Sequence, residues 1–175
     1  MSGLRLIMAL VAPAIGIASE QTDSLTTVIR TADAEITVRR RFGAPPAKVF
    51  EGLTSPELLR RWMSTDGREL IDVRADLRPG GTYRYVFRGP GGRNFGMYGT
   101  YREFVSPRRI VHTEAYDGYD WDPLVTTTDL SEEAGGTALV MTIRYPSREI
   151  CDKDFSSVQS GSPAGFSRLE KLLAK

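Results

Sequence analysis

The chain has few of the residues that build disulfides, metal sites or covalent catalytic units. Its 175 residues include one cysteine, Cys151, and one histidine, His112. A single cysteine excludes an internal disulfide, which fits a reducing compartment. One cysteine and one histidine are too few ligands for a zinc site built from these residues, and a Cys–His or Ser–His catalytic unit would have to use His112. We expect no metal site and no cofactor.

The chain also lacks an excess of charge of either sign. Its 23 Lys and Arg residues and 22 Asp and Glu residues give a net charge of +1, which excludes the basic field that nucleic acid or an anionic membrane attracts. The basic run at 39–41 lies within an apolar, β-like stretch and indicates a strand with an exposed face. The apolar segment at 4–18 is too short to span a bilayer. We expect no nucleic-acid binding and no stable membrane span.

The apolar segment at 4–18 leaves two interpretations of the N-terminus. It ends in small residues before a polar stretch, and so resembles a weak secretory signal. Against this, Arg5 is its only positive charge and Pro13 interrupts its apolar part. We expect residues 1–33 to form an N-terminal extension and a polar linker, and residues 34–175 to form a cytoplasmic domain. The alternative is an exported protein, with the apolar segment acting as signal peptide.

Alternating apolar residues and turn signals predict one strand, two short helices, six more strands and a helical C-terminus. The first strand covers residues 35–42, and Pro45-Pro46 then suits entry into the first short helix. Ser55-Pro56 fits the N-cap and the first position of the second helix. The six later strands are predicted at residues 69–77, 82–88, 95–105, 108–116, 124–130 and 137–145.

The C-terminus is predicted as two helical segments that cover the sheet. The first begins at Arg148, the sequence SGSP at 160–163 interrupts it, and residues 164–174 carry an amphipathic stripe. Gly96 and Gly99 indicate a bulge in the third of the six strands, which leaves the faces of that strand unassigned. Six successive strands with short turns predict an antiparallel meander, and the apolar face of such a sheet needs the last helix as its cover. This is an α+β domain.

Six segments, in order along about 140 residues, resemble one known group of proteins. They read RRFGAPPAKVF at 40–50, TSPELLRRW at 54–62, RPGGTY at 78–83, GTYREFVSPRRIV at 99–111, GGTAL at 135–139 and RLEKLL at 168–173. They resemble the START-like (SRPBCC, helix-grip) superfamily, and within it the bacterial branch named after homologues of the activator of the heat-shock-protein-90 ATPase. The order and the coverage carry the resemblance, since each motif alone is weak.

The resemblance implies a helix-grip fold, in which a curved antiparallel sheet wraps around a long C-terminal helix, with two short helices after the first strand and a cavity between sheet and helix. It does not imply one reaction, because the superfamily includes lipid carriers, ligand binders, polyketide cyclases and parts of co-chaperones with no shared catalytic residue. Family members often carry aromatic residues where His112 and Glu114 stand in this sequence.

The side chains expected to face this cavity are mostly aromatic or aliphatic. Apolar walls with a few placed polar groups are typical of a site for a small apolar or aromatic ligand. The same residues also suit an ordinary filled core, and both interpretations stay open. The predicted apolar lining consists of Trp62, Tyr83, Tyr85, Phe87, Met141, Ile143, Tyr145, Phe166 and Leu169.

Three ionisable residues, Arg40, His112 and Glu114, are predicted to face the same cavity. Buried charge is costly unless it is paired, so we expect Arg40 to pair with Glu114 and His112 to act as a hydrogen-bond partner. In the alternative, His112 is a general acid and base positioned by Glu114. A structural ion pair without chemistry is the simpler interpretation.

The expected function is non-catalytic binding of a small hydrophobic or aromatic ligand, and a homodimer is left open. The first alternative is an enzyme similar to polyketide cyclases or hydrolases that uses His112 and Glu114. The second is a co-chaperone that activates a heat-shock ATPase. Activators of that kind carry a substantial extra domain before this one, and residues 1–33 are fewer than the roughly 40 that an independent fold usually needs.

Overall fold

The computed structural model describes residues 25–174 and contains eight strands and three α-helices in that range. The predicted apolar segment at 4–18 lies outside the described residues. In chain order the elements are β1 (Thr26–Ala32), β2 (Glu35–Phe42), α1 (Pro46–Thr54), α2 (Pro56–Met63), β3 (Glu69–Ala75), β4 (Thr82–Arg88), β5 (Asn94–Val105), β6 (Arg109–Tyr116), β7 (Leu124–Glu133), β8 (Gly136–Arg144) and α3 (Arg148–Leu173).

All eight strands form one curved, open antiparallel sheet with the order β1-β2-β8-β7-β6-β5-β4-β3. The six strands from β3 to β8 follow one another as a meander, and β2 joins at the β8 edge. The helix α3 packs against the sheet and buries apolar side chains along its length. The predictions of an α+β class, an antiparallel meander and a helix-grip arrangement are therefore confirmed. No helix among the described residues has the length and apolarity to cross a membrane.

The edge strand β1 is a feature that the sequence pattern does not predict. Residues 26–32 fall in the stretch expected to be a linker, but they pair with β2 from Thr26 opposite Arg40 to Ala32 opposite Glu35. Five of the seven β1 residues are exposed, so the strand lacks the alternation of apolar and polar residues on which the prediction depends. The linker prediction is wrong for these seven residues.

The short helices α1 and α2 are joined at Ser55 and packed against α3. Ser55 occupies the predicted N-cap position of α2, but its side chain makes no capping hydrogen bond. The indole Nε1 of Trp62 donates to the carbonyl of Gly52 at 2.9 Å, which ties α2 to α1. Gly52 also lets α1 approach α3, because a Cβ atom at this position would lie 2.6 Å from Cδ1 of Leu169.

The helix α3 is continuous, which contradicts the predicted interruption at residues 160–163. Pro163 lies inside it and removes one backbone donor. Tertiary packing outweighs this loss, since Val158 before the proline and Phe166 after it are both buried. Ser147 caps the N-terminus by accepting a hydrogen bond from the backbone N–H of Ile150 at 3.3 Å.

The predicted bulge in β5 exists but lies further along the strand. The register between β5 and β6 shifts between Tyr101 and Glu103, whereas Gly96 and Gly99 keep regular pairing with β4. These glycines permit close approach instead, because a Cβ atom on Gly99 would lie 1.8 Å from the carbonyl oxygen of Thr113. Glycine at that position is therefore required by the neighbouring strand.

A cavity between the sheet and the C-terminal helix

A cavity of about 170 Å³ lies between the inner face of the sheet and the helices. Strands β4 to β8 supply one side, and residues of α1, α2 and α3 supply the other. Most of the wall is aromatic or aliphatic.

Eight of the twelve residues predicted to face the cavity border it. In β4, Tyr83, Tyr85 and Phe87 are buried while the alternate residues are more exposed, as strand alternation requires. In β6, His112 and Glu114 share the inner face with Ile110 and Tyr116. The eight are Trp62, Tyr83, Tyr85, Phe87, His112, Glu114, Met141 and Ile143.

The other four predicted residues are buried beside the cavity rather than in its wall. Phe166 is fully buried and contacts the ring of Phe42 edge-on, with centroids 5.7 Å apart. Leu169 is fully buried under α1. The hydroxyl of Tyr145 donates a hydrogen bond to the buried carboxyl group of Asp154. Arg40 faces Glu170, near the C-terminal end of α3. These four side chains fill the core.

The predicted ion pair between Arg40 and Glu114 is wrong. Arg40 lies on β2 and Glu114 on β6, with β8 and β7 between them. Three strand spacings of about 4.8 Å put the two strands roughly 14 Å apart. Arg40 is 3 % exposed; its Nη2 lies 3.6 Å from Oε2 of Glu170 and its Nη1 donates to Oγ1 of Thr26 at 2.9 Å. Burial lowers the pKa of Arg40, and the charge of Glu170 opposes that effect.

Several wall residues were not predicted. The glycines in β5 left the faces of that strand unassigned, yet Phe95, Met97 and Tyr101 all border the cavity. Cross-strand pairing supplies the missing signal, since Phe95 is opposite Phe87 and Met97 is opposite Tyr85. Tyr116, at the end of β6, also borders the cavity. Tyr119 and Trp121 pack with the ring of Tyr116 outside the wall.

The polar part of the wall centres on Glu114. The hydroxyl of Tyr116 donates a hydrogen bond to Oε1 of Glu114. The other carboxylate oxygen, Oε2, lies 3.7 Å from Nε2 of His112, which is longer than a hydrogen bond. The rings of Tyr83 and Tyr101 contact the His112 ring, and Nδ1 of His112 is buried without a partner among the described residues.

Burial keeps the phenols of the wall protonated. It raises the pKa of Tyr83, Tyr85 and Tyr116 well above the ordinary value, and the negative charge of Glu114 adds to the effect. Tyr116 therefore acts as a donor to Glu114, and Tyr83 donates to the carbonyl of Thr113 at 2.9 Å. The phenols of the wall are hydrogen-bonding groups at neutral pH rather than additional charges.

One cation, Arg68, borders the cavity at the start of β3. Its guanidinium lies over the ring of Phe87, 4.8 Å from the centroid, which is cation–π geometry. Its Nη2 donates to the carbonyl of Met63 at 3.5 Å. Burial lowers the pKa of Arg68. The wall thus carries one carboxylate on β6 and one guanidinium at the edge of the sheet.

A second carboxyl group, Asp154, is buried behind the wall. It lies on α3, and Tyr145 donates its hydroxyl to Oδ2 at 2.6 Å. Burial, together with the charge of Glu114, raises the pKa of Asp154 to about 8, although the hydrogen bond from Tyr145 lowers it. Asp154 therefore holds its proton at neutral pH and adds no negative charge beside Glu114. The sequence did not indicate Asp154, because a lone acid in a helical pattern is usually at the surface.

The part of the chain that the structure describes holds neither an activated thiol nor a cluster of metal ligands. Cys151 is fully buried on α3, and burial raises the pKa of its thiol, which disfavours the nucleophilic thiolate. Residues 25–174 contain no group of three or more His, Cys, Asp or Glu side chains that could hold a metal ion. The described site is an apolar cavity with hydrogen-bonding groups and one charge of each sign.

Fold and cavity together define an α+β helix-grip protein with an interior space between sheet and helix. Residues 43–174 match the family described as "Activator of Hsp90 ATPase homolog 1-like protein". The chain belongs to this family, within the SRPBCC superfamily, as the resemblance indicated. No curated protein matches the chain.

Solved structures share this fold over most of the chain. A protein from Rhodobacter sphaeroides is 29% identical, with 85% of this chain and 97% of that chain covered and a TM-score of 0.80. Protein Ms6760 from Mycobacterium smegmatis is 22% identical, with 85% and 96% covered and a TM-score of 0.76. A protein from Nitrosomonas europaea is 24% identical, with 83% and 97% covered and a TM-score of 0.73. The last two show the fold alone.

Proposed function

We propose that the protein binds a small apolar molecule, about one aromatic ring in size, in the cavity and does not change it chemically. The observation that carries this proposal is the unfilled volume of about 170 Å³ behind a largely aromatic wall. An apolar cavity of about 150 Å³ in another protein takes up benzene. The space therefore matches a ring with one or two substituent atoms.

The apolar wall favours an apolar occupant. Burial of apolar surface contributes roughly 25 cal/mol per Å² removed from water, and most of the side chains that border this cavity are aromatic or aliphatic. An apolar ligand that fills the space also gains dispersion contacts with the wall.

The test is a titration of the protein with toluene, followed by methyl NMR and by thermal denaturation. We expect shifts confined to methyl groups near the cavity, such as that of Met141, and a concentration-dependent rise in Tm. Thr128→Phe should abolish both effects, because Thr128 borders the cavity. Thr127→Phe is the matched control, since Thr127 is the neighbouring residue on the opposite face of β7. Absence of binding by toluene, benzene and indole would refute the proposal.

Catalysis is a second candidate function, favoured by one observation. His112 and Glu114 both border the cavity, and an acid–base pair needs that placement. Their separation of 3.7 Å leaves the histidine without the hydrogen bond that would orient it. Ligand recovered chemically unchanged after prolonged incubation supports binding alone, whereas turnover that His112→Ala abolishes supports the enzyme. Stimulation of a heat-shock ATPase is tested directly by adding the purified protein to that ATPase.

A further inference from the structure

The carboxylate of Glu114 has one oxygen that is free to accept a hydrogen bond in the cavity. Its side chain is only 14 % exposed and borders the cavity. Tyr116 occupies Oε1, but Oε2 has no hydrogen bond with any described residue, and Nε2 of His112 is 3.7 Å away. Oε2 is not among the fully buried atoms that lack a partner, so a donor group of a ligand can reach it from the cavity. A ligand that covers this oxygen must supply a donor, because a carboxylate removed from water needs hydrogen bonds to both oxygens.

The surroundings of Glu114 favour a positive ligand group over a negative one. The neighbouring Asp154 is kept protonated by burial, and Tyr83 and Tyr116 are neutral phenols, so the negative charge at this end of the cavity belongs to Glu114. The faces of aromatic rings attract an ammonium group. The rings of Tyr83 and Tyr101 contact the ring of His112, whose Nε2 lies 3.7 Å from that carboxylate.

We propose that the cavity selects an apolar amine, with a protonated amino group that donates to Oε2 of Glu114 and a hydrocarbon part that fills the aromatic cavity. This inference rests on the proposed function, because it names the chemical class of the ligand in that cavity. A hydrogen bond between an ammonium and a carboxylate is shorter and about twice as strong as a neutral one. An alcohol would satisfy the oxygen without pairing the charge, and a carboxylate would be repelled by Glu114 and attracted by Arg68.

The experiment compares four ligands of similar size by calorimetry at pH 7: toluene, benzyl alcohol, benzylamine and benzoate. We expect benzylamine to bind at least tenfold more tightly than toluene, with benzyl alcohol between them and benzoate weakest. In the variant Glu114→Gln the affinity for benzylamine should fall at least tenfold, while that for toluene stays within twofold. Toluene binding by the variant also shows that the cavity is intact.

The matched control is Glu51→Gln, which removes the same charge from an exposed position on α1. It should leave all four affinities within twofold of the original protein. Equal affinity for toluene and benzylamine would overturn the inference and leave the proposed function standing. Tightest binding of benzoate would overturn it in favour of Arg68 as the selecting group. Failure of all four ligands would overturn both the inference and the proposed function.

Discussion

Replacing Asp154 with asparagine should remove a loss of stability that the protein suffers as the pH rises. Asp154 is fully buried. Its Oδ2 accepts a hydrogen bond from Tyr145, and Oδ1 has no partner among the described residues. Burial raises its pKa from 3.8 to about 8 in the folded protein. Asparagine has nearly the same shape, can accept the same hydrogen bond and does not ionise.

The direction of this pH dependence follows from the number of protons that the folded and unfolded states bind. Between about pH 4 and pH 8 the unfolded chain has lost the Asp154 proton while the folded protein keeps it, given the pKa of about 8. The unfolded state binds fewer protons, so the free energy of unfolding falls as the pH rises, by at most about 1.4 kcal/mol per pH unit. The stabilisation that protonated Asp154 contributes is fully present below the pKa of this group in the unfolded chain, and it is lost by about pH 8. From pH 5 to pH 7 the expected loss is at least about 2 kcal/mol.

Urea unfolding of the original protein and Asp154→Asn at pH 5, 6, 7 and 8 measures this difference. Groups that titrate in both proteins do not affect the difference between their free energies of unfolding. We expect this difference, variant minus original, to rise by about 2 kcal/mol from pH 5 to pH 7. Asp66→Asn, at an exposed position, is the control and should run parallel to the original protein. A difference for Asp154→Asn that stays constant across the range would refute the reasoning, since Asp154 would then be ionised in the folded protein.

Three further substitutions test the packing of α3. Phe166→Ala should lower the free energy of unfolding by about 3–5 kcal/mol, measured in urea; a loss below about 1 kcal/mol would contradict the full burial of this ring. Gly52→Val should cost about 1–3 kcal/mol, because its Cβ would lie 2.6 Å from Leu169; an unchanged Tm would disprove the close contact. A double-mutant cycle of Arg40→Met and Glu170→Gln should give a coupling of about 1 kcal/mol, and zero coupling would show that the 3.6 Å pair is not stabilising.

The strands of the meander were predictable because their side chains alternate between two different environments. β4 shows this most clearly: Tyr83, Tyr85 and Phe87 are buried, and their neighbours Arg84 and Arg88 are exposed. The observed bounds of this strand, Thr82–Arg88, equal the predicted ones. The same rule placed His112 and Glu114 on the face of Ile110. Where one sheet face meets the core, alternation determines both the element and the orientation of its side chains.

Elements whose stability comes from distant partners were not predictable in this way. The strand β1 is mostly exposed and is held by its pairing with β2. The residues of β1 alone show no pattern that predicts this pairing. Arg30 attaches β1 to α3: it forms an ion pair with Asp152 at 2.7 Å and donates a hydrogen bond to Sγ of Cys151 at 3.5 Å. Local sequence was equally misleading at Pro163, where packing on both sides maintains the helix.

The candidate site was predictable in its apolar part and not in its charge pairing. Alternation identifies which residues of a strand share a face, and hence most of the aromatic wall; for β6 the family resemblance indicated that the face of His112 and Glu114 is the inner one. It does not give the order of strands in the sheet. The prediction that Arg40 would pair with Glu114 failed for this reason, since two strands lie between β2 and β6. The partner Glu170 comes from α3, whose placement depends on the whole fold.

The segment that was misread as a break in α3 explains why the cavity exists. Along the inner face of this helix, Val158 and Ser162 border the cavity, whereas Phe166 and Leu169 are fully buried one to two turns further on. The large side chains fill the space between helix and sheet at the C-terminal end, and the small ones leave it unfilled opposite the aromatic face of β4 and β5. Glycine and serine in the middle of a helix are poor helix formers. The small side chain of Ser162, which borders the cavity, leaves this space between the helix and the sheet.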